Sequence, residues 1–340
     1  MQNIKSLLII SILFLLVSAK NLLAQSSYVD QIDSLLAKSF NQGNFNGNAL
    51  VVKNNEIIYA ESFGYTDASK DKKLTQATRF NIGSIYKEFS AVALMMLVEE
   101  GKLNLDDSIS KFIPSLPLWG NTIKIRHLLQ YTSGLPNLNW KTIKSDTDIL
   151  NDLKNLVSLK FEPGTNYFYN NNDISVRQFI VERVSGIPFN LFVKKYLFGP
   201  AGMESSIINP TIHSKKLAIA YSNSLANDKI ETRFSGVIYV TVDDLLKWDQ
   251  SLKGYQFISK ECTKILGKSY NGNQSALGNV EFKEGKWITH LHNGESRNFE
   301  AILYSNYSNN YTIILLGNNK NRMLFELTGA LIKILESNVN

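Results

Sequence analysis

Cysteine is nearly absent from this 340-residue chain, in which Cys262 is the sole example. A lone thiol closes no internal disulfide, so the core alone must hold the fold. Cys262 has no supporting motif and reads as structural. The formal net charge is +6, yet there is no long basic run and no basic-aromatic interleaving, which disfavours nucleic acid as a partner. Long apolar runs are missing except at the start, where Lys5 precedes a stretch from Leu7 to Val17 that is too short to span a bilayer comfortably. Residues 1–24 therefore read as a secretory signal peptide, cut after Ala19 or after Ala24. An uncleaved anchor is the alternative. The expectation is an exported protein, periplasmic or extracellular, with no stable membrane span after cleavage. There is also no internal repeat and no linker. His290 and His292 alternate on one strand face without a cysteine or carboxylate cluster beside them, so neither a metal nor a cofactor is expected.

What is present is a globular composition, 44% hydrophobic and 19% charged, long enough for one large domain or two small ones. Val29, Ile32, Leu35 and Leu36 give Tyr28 to Phe40 the spacing of an amphipathic helix. Strands over Asn48 to Lys53 and Ile57 to Phe63 flank Asn54-Asn55, a good hairpin turn. From Gly101 to about Gly272 helices and loops predominate. They include a short helix through Ile125 to Leu129, a turn at Glu162-Pro163-Gly164-Thr165, and helices ending at Gly186, near Phe198 and at Leu252, the last capped by Thr241. A meander returns over Leu277 to Phe282, Trp287 to His292, Asn298 to Ser305 and Tyr311 to Leu316, and Arg322 to Leu335 closes the chain as a helix. Strands at both ends around a helical middle predict an α/β (α+β) fold. Its sheet would be mixed, mainly antiparallel and built from both termini (about 28–83 and 276–340), flanked by helices, with a helical subdomain over about 84–275.

The chemistry concentrates at Phe80-Asn81-Ile82-Gly83-Ser84-Ile85-Tyr86-Lys87. This polar entry opens a helix in which Phe89, Val92, Ala93, Met96 and Leu97 make an apolar stripe, widened by Leu94 and Met95 and stopped by Gly101. Lys87 falls three residues after Ser84, which puts its amine beside the hydroxyl on one helix face. A desolvated lysine there could take the serine proton. The tetrapeptide Ser-x-x-Lys is weak evidence alone, since Ser69 to Lys72 and Ser108 to Lys111 also fit it. Ser84 alone opens a long buried helix. An ordinary N-cap remains the competing reading. His127 reads as a satisfied structural histidine.

The order of motifs resembles the serine β-lactamase and penicillin-binding-protein-like hydrolases, above all the branch of class C β-lactamases, DD-carboxypeptidases and related esterases. Phe80-x-Ile82-x-Ser84-x-x-Lys87 resembles the nucleophile motif of that family. Glu99-Glu100-Gly101-Lys102-Leu103 resembles the stretch after its helix, Ile125-Arg126-His127-Leu128-Leu129 with Thr132-Ser133-Gly134-Leu135 its loop signature, and Pro163-Gly164-Thr165 the turn before its tyrosine motif. The similarity covers about residues 28–336 and implies a β-lactamase/transpeptidase-like fold. Tyr-x-Asn fits four places, and position selects Tyr169-Asn170-Asn171. The resemblance then implies Tyr169 as a general base, its phenolate favoured by nearby lysine charge, and Asn171 as a donor to substrate. A packed aromatic is the structural alternative for Tyr169. Where the family usually has Lys-Thr-Gly, this chain has His292-Asn293-Gly294, a departure that shifts the expectation from β-lactams toward esters or D-amino-acid peptides. By the same resemblance the oxyanion would be held by the N–H groups of Ser84 and Glu295, with His292 and Gly294 beside the substrate. Arg297 could restore an anion contact, against the commoner reading of a surface arginine. The expected partner is a small-molecule or peptide substrate, cell-wall peptide included. Competing readings are a β-lactamase, a non-catalytic penicillin-binding-like sensor and a cell-wall-binding module.

Overall fold

The computed structural model describes residues 28–337, so the expected signal peptide over 1–24 lies outside the described residues. A first helix, α1 (28–41), leads into the hairpin of β1 (Gly47–Lys53) and β2 (Glu56–Phe63). Asn54 and Asn55 make its two-residue turn with φ of 51° and 67°, the left-handed pair that a tight hairpin needs and that asparagine tolerates. The late meander follows as β6 (Asn279–Lys283), β7 (Lys286–Ser296), β8 (Phe299–Asn306) and β9 (Tyr311–Gly317). Together these strands form one six-stranded sheet in the order β2-β1-β9-β8-β7-β6. Every pairing in it is antiparallel, so the sheet is not mixed; β1 docks directly on β9 and joins the two chain ends.

Alternation along β1 splits the core in two. Ala49 and Val51 face α1 and the last helix, α10 (Leu324–Ser337), through Ile32, Leu36, Leu327 and Leu331. Leu50 and Val52 face the helices of the middle of the chain. The chief of these is α2 (Tyr86–Glu99), buried for most of its length. It ends where Gly101 turns left-handed at φ +70°, as the sequence requires. The middle also contributes α3 (Ile125–Leu129), α4 (Asp146–Lys154), α5 (Asn172–Ser185) and α6 (Phe189–Val193). A π-helical segment, Lys194–Phe198, continues α6 into the single turn α7 (Gly199–Ala201). Then come α8 (Val242–Lys253), whose N-cap Thr241 accepts from the Asp244 N–H, and α9 (Lys260–Leu266).

Two features escape the sequence pattern. β3 (Phe80–Asn81), β4 (Ile207–Ile208) and β5 (Ile238–Val240) form a small antiparallel sheet in the order β3-β5-β4, with strands of two or three residues, too short for alternation to register. The strand β7 runs on to Ser296, four residues past its expected end at His292, and carries Gly294 and Glu295 up to the nucleophile. Among the described residues no helix is long and apolar enough to cross a membrane.

Candidate active site

The small sheet delivers Ser84. Asn81 pairs with Tyr239 of β5, and its Oδ1 accepts from the Gly83 N–H at 2.8 Å, bending the chain sharply. Gly83 takes φ +50°, and Ser84 stands in a 3₁₀ turn, Gly83–Ile85, immediately before α2. Lys87, one turn on, is 3% exposed, and its Nζ donates to Ser84 Oγ at 2.8 Å. Burial pushes the Lys87 amine below its ordinary value; Tyr86 pulls it back up and Arg177 pushes it further down. Tyr169, on the segment leading into α5, lies with its ring 5.0 Å from Lys87 Nζ. Burial raises the Tyr169 phenol above its ordinary value, while the Ser84 hydroxyl and the Arg177 guanidinium pull it down. The expectation of a phenolate favoured by lysine is thereby corrected. Desolvation wins, so the resting group is a phenol, and the cation that opposes desolvation is Arg177.

Two glycines let β7 approach the nucleophile. A Cβ at Gly83 would lie 2.4 Å from the Glu295 amide nitrogen, and one at Gly294 would lie 2.8 Å from the Ser84 amide nitrogen and on top of the Ile82 carbonyl. No other residue fits either place. β7 thus packs backbone to backbone against the Gly83–Ser84 turn, which brings the Glu295 amide next to that of the nucleophile. The Glu295 side chain turns to Lys320 at 3.0 Å.

The three asparagines after Tyr169 divide the work. Asn170 is buried and closes the turn, accepting from the Asp173 N–H at 2.8 Å and donating to Asp173 Oδ2 at 3.0 Å. Asn172 donates to the Pro136 carbonyl at 2.8 Å. Asn171 lines the cleft, with its Nδ2 3.2 Å from Asn137 Oδ1.

A profile of the family described as Beta-lactamase matches residues 32–333. The chain belongs to the β-lactamase family. Its relatives include "Penicillin-binding protein 4*" of Bacillus subtilis, 30% identical over 273 residues, 72% of this chain and 58% of that protein. "Putative penicillin-binding protein PbpX" of the same organism is 29% identical and covers 78% of this chain and 72% of its own length. The chain therefore spans little more than half of the first of these relatives. In fold it is similar to a penicillin-binding protein from Bacillus halodurans (TM-score 0.75, 22% identity, 88% of this chain and 99% of the other). It also resembles a class C β-lactamase (TM-score 0.77, 19% identity, 93% and 97%).

Within that family fold, one residue expected beside the substrate is elsewhere. His292 is 1% exposed, its ring is buried between β7 and α2, and it does not line the cleft. Its Nδ1–H donates to Glu88 Oε1 at 2.6 Å, and its Nε2 is 3.0 Å from Gln274 Nε2. Burial keeps this imidazole below its ordinary value despite Glu88, so Nε2 is free to accept from Gln274. His290 shares the same carboxylate. Its Nε2 donates to Glu88 at 2.8 Å and its Nδ1 to Asp249 at 2.9 Å. Burial would lower His290, but the two carboxylates outweigh it and hold the ring at about 10, as an imidazolium. Trp248 Nε1 completes Glu88 at 2.7 Å, and Tyr307 and Ser305 complete Asp249 at 2.6 and 2.7 Å. With both ring nitrogens of His290 donating, this cluster offers a metal no lone pair there.

Sequence reasoning passed over Glu88 and Arg177. A carboxylate in a helix otherwise apolar, and an arginine amid the buried run Ile174, Val176, Ile180, were the signals available. His127, as expected, is structural: it is half-buried, and its Nδ1 accepts from the Lys124 N–H at 3.1 Å.

The cleft in front of Ser84 has a volume of about 440 Å³. Leu138, Trp140 and Ile149 line one wall, and Glu231, Arg233 and Phe234 another. Trp140 and Phe234 meet edge to face at 5.4 Å. Arg297, from the β7–β8 turn, also lines the cleft, 3.6 Å from a Glu231 carboxylate that Arg233 already grips with two N–H groups.

Proposed function

We propose that the protein is an exported serine hydrolase that forms an acyl-enzyme on Ser84 and cleaves an ester or a D-amino-acid-containing peptide or amide. The observation that carries this reading is the 2.8 Å bond between Ser84 Oγ and a buried Lys87 amine held toward its neutral form. In that form Lys87 accepts the Ser84 proton as Oγ bonds to the substrate carbonyl carbon. The carbonyl oxygen becomes an oxyanion between the Ser84 and Glu295 amides. Tyr169, beside both groups, passes the proton to the leaving alcohol or amine as its bond to carbon breaks. Water then attacks the acyl-enzyme, giving its proton to the same pair, and Ser84 is regenerated. Arg297, whose near carboxylate is already engaged, is placed to meet an anionic group of the substrate. The withdrawal of His292 from the cleft favours esters and peptides over substrates that need a lysine there.

The test is hydrolysis of a short-chain chromogenic ester and of a D-alanyl-D-alanine peptide by the native protein and by Ser84→Ala. Without the Ser84 Oγ no acyl-enzyme can form, which predicts near-complete loss in the variant with an unchanged melting curve. Equal residual rates in the two proteins, or a destabilised variant that marks Ser84 as a cap, would overturn the reading. A β-lactam hydrolysed faster than either substrate would redirect it.

A further inference from the structure

Arg177 has no part in that scheme, yet it occupies an expensive place. It lies in the middle of α5 with no exposed surface. A buried guanidinium costs several kcal/mol unless its donors are matched. Here Nε and Nη2 both donate to the Leu128 carbonyl, and Nη1 reaches no hydrogen-bond partner. The Tyr131 hydroxyl and Asp173 Oδ1 nearby are buried and equally unpartnered. One carbonyl at the end of α3 could be satisfied by a neutral donor at far lower cost.

The geometry shows where the charge is directed. The guanidinium carbon lies 4.9 Å over the ring of Tyr131. That ring lies 4.8 Å from the ring of Tyr169. To present it, Tyr131 adopts φ +55°, a left-handed backbone that a bulky side chain occupies only when its surroundings dictate it. The order is thus Arg177, Tyr131, Tyr169, and then Ser84 and Lys87. An arginine stays protonated under all working conditions, whereas Lys87 is held toward neutrality.

We propose that Arg177 is a positioning residue for the reaction at Ser84, its buried guanidinium acting through the Tyr131 ring to favour the proton-accepting forms of both Tyr169 and Lys87. The inference rests on the acyl-serine reading above. A fixed positive charge disfavours a second cation at Lys87 and favours an anion at Tyr169, and both effects operate in the direction stated. The other ionisable groups packed around the pair are Tyr86 of α2, Tyr167 before α5, and Asp173 of α5. The cleft is also lined by Asp146, Glu231, Arg233, Glu295 and Arg297. Of these, Asp173 is the one that faces Arg177 from inside the core. Burial raises it to about 7 against the pull of Ser133, Arg177 and Asn170, so above neutrality its charge partly offsets the guanidinium.

The experiment compares native protein with Arg177→Met, Arg177→Gln and Arg177→Lys. One readout is the pH profile of ester kcat/KM. The other is the pH at which Tyr169 begins to ionise, followed by NMR of ¹³Cζ-labelled tyrosine, with its signal assigned by its loss in Tyr169→Phe. Arg177→Met should move the acid limb and the onset of Tyr169 ionisation upward by about one pH unit. Its kcat/KM should fall roughly tenfold on the limb and recover as pH rises, with Arg177→Lys restoring most of the shift. A uniform loss at all pH with Tyr169 unmoved would reduce Arg177 to a support for the Leu128 carbonyl and overturn the proposal. If Arg177→Met does not fold, Arg177→Gln decides, since it keeps an N–H donor for the Leu128 carbonyl without the charge. Tyr169 ionisation must then move upward, and an unmoved signal overturns the proposal. The NMR arm needs no turnover, so an inactive native protein would sink the acyl-serine reading and leave this one separately answerable.

Discussion

Two buried polar clusters flank the nucleophile helix, and they are built on opposite principles. On the β7 side, Glu88, His290, His292 and Asp249 meet Trp248, Ser305, Tyr307 and Gln274, and the acceptors of both carboxylates are matched to donors. On the α5 side, Arg177, Tyr131 and Asp173 each retain an unmatched buried atom. A fully satisfied network in a low-dielectric interior rigidifies what it joins, and the same low dielectric lets a buried charge act on its neighbours. The first fixes β7 against α2 and hence the distance from the Glu295 amide to Ser84. The second lies behind Tyr169, where proton affinity rather than distance is at stake.

The sharpest break in the comparison is Glu88→Ala. It strips an imidazolium, an imidazole N–H and an indole N–H of their acceptor at once. Losing one partner of a buried ionic network costs about 3–5 kcal/mol, and guanidinium unfolding curves should show a loss of that size. A loss below about 1 kcal/mol would mean that β7 is held by backbone pairing and apolar contacts alone.

The same network has a pH signature with a definite sign. Glu88 is held well below its ordinary value, because His290 and His292 outweigh burial, so its contribution is present above its unfolded value near 4.5 and fades in acid. His290 is raised from 6.5 to about 10, so its contribution is complete below 6.5 and is lost as pH rises toward 10. His292, held below 6.5 by burial, adds stability that grows as pH rises toward 6.5, so the cluster should stabilise most near pH 6.5, with Tm falling on the alkaline side. His290→Asn should flatten that alkaline fall. An equally steep fall in the variant would assign it to other groups.

Sequence and structure agree where a physical period was long enough to read. α2 and the meander carried their patterns over whole turns and whole strands. β3, β4 and β5 did not, because two or three residues cannot alternate visibly. Ser84 and Lys87 were legible through spacing, and Tyr169 and Glu295 only through the family resemblance; the structure brings the four near one another. His292 was not legible as a buried group. Its motif position points to the cleft, but the side-chain direction follows from a carboxylate on a different element, 204 residues away. Arg177 escaped for a related reason. A charge in a helix pattern reads as solvated until the burial of all its neighbours is known.

Asp173 sharpens the contrast from the unsatisfied side, with the opposite slope in acid. Its folded value, about 7, lies above its unfolded value near 3.8, so the folded state holds the extra proton between them and stability falls as pH rises through that window. Asp173→Asn removes this titration, so from pH 4 to 7 the native Tm should fall relative to that of the variant. A difference between the two that does not change with pH would show that Asp173 takes up no proton on folding.

The smallest expected effect tests whether the satisfied cluster is as redundant as its geometry implies. Gln274 contributes one contact, 3.0 Å from His292 Nε2, at the edge of the network. His292 remains anchored by Glu88 at 2.6 Å when that contact is lost. Gln274→Ala should cost about 1 kcal/mol, the net worth of one neutral hydrogen bond, and leave ester turnover within about twofold. A fall in kcat of tenfold or more with KM unchanged would mean that the tautomer of His292 governs the oxyanion strand directly. The β7 cluster would then belong with Arg177 among the groups that act on the reaction, and the division between a rigid side and an active side would fail.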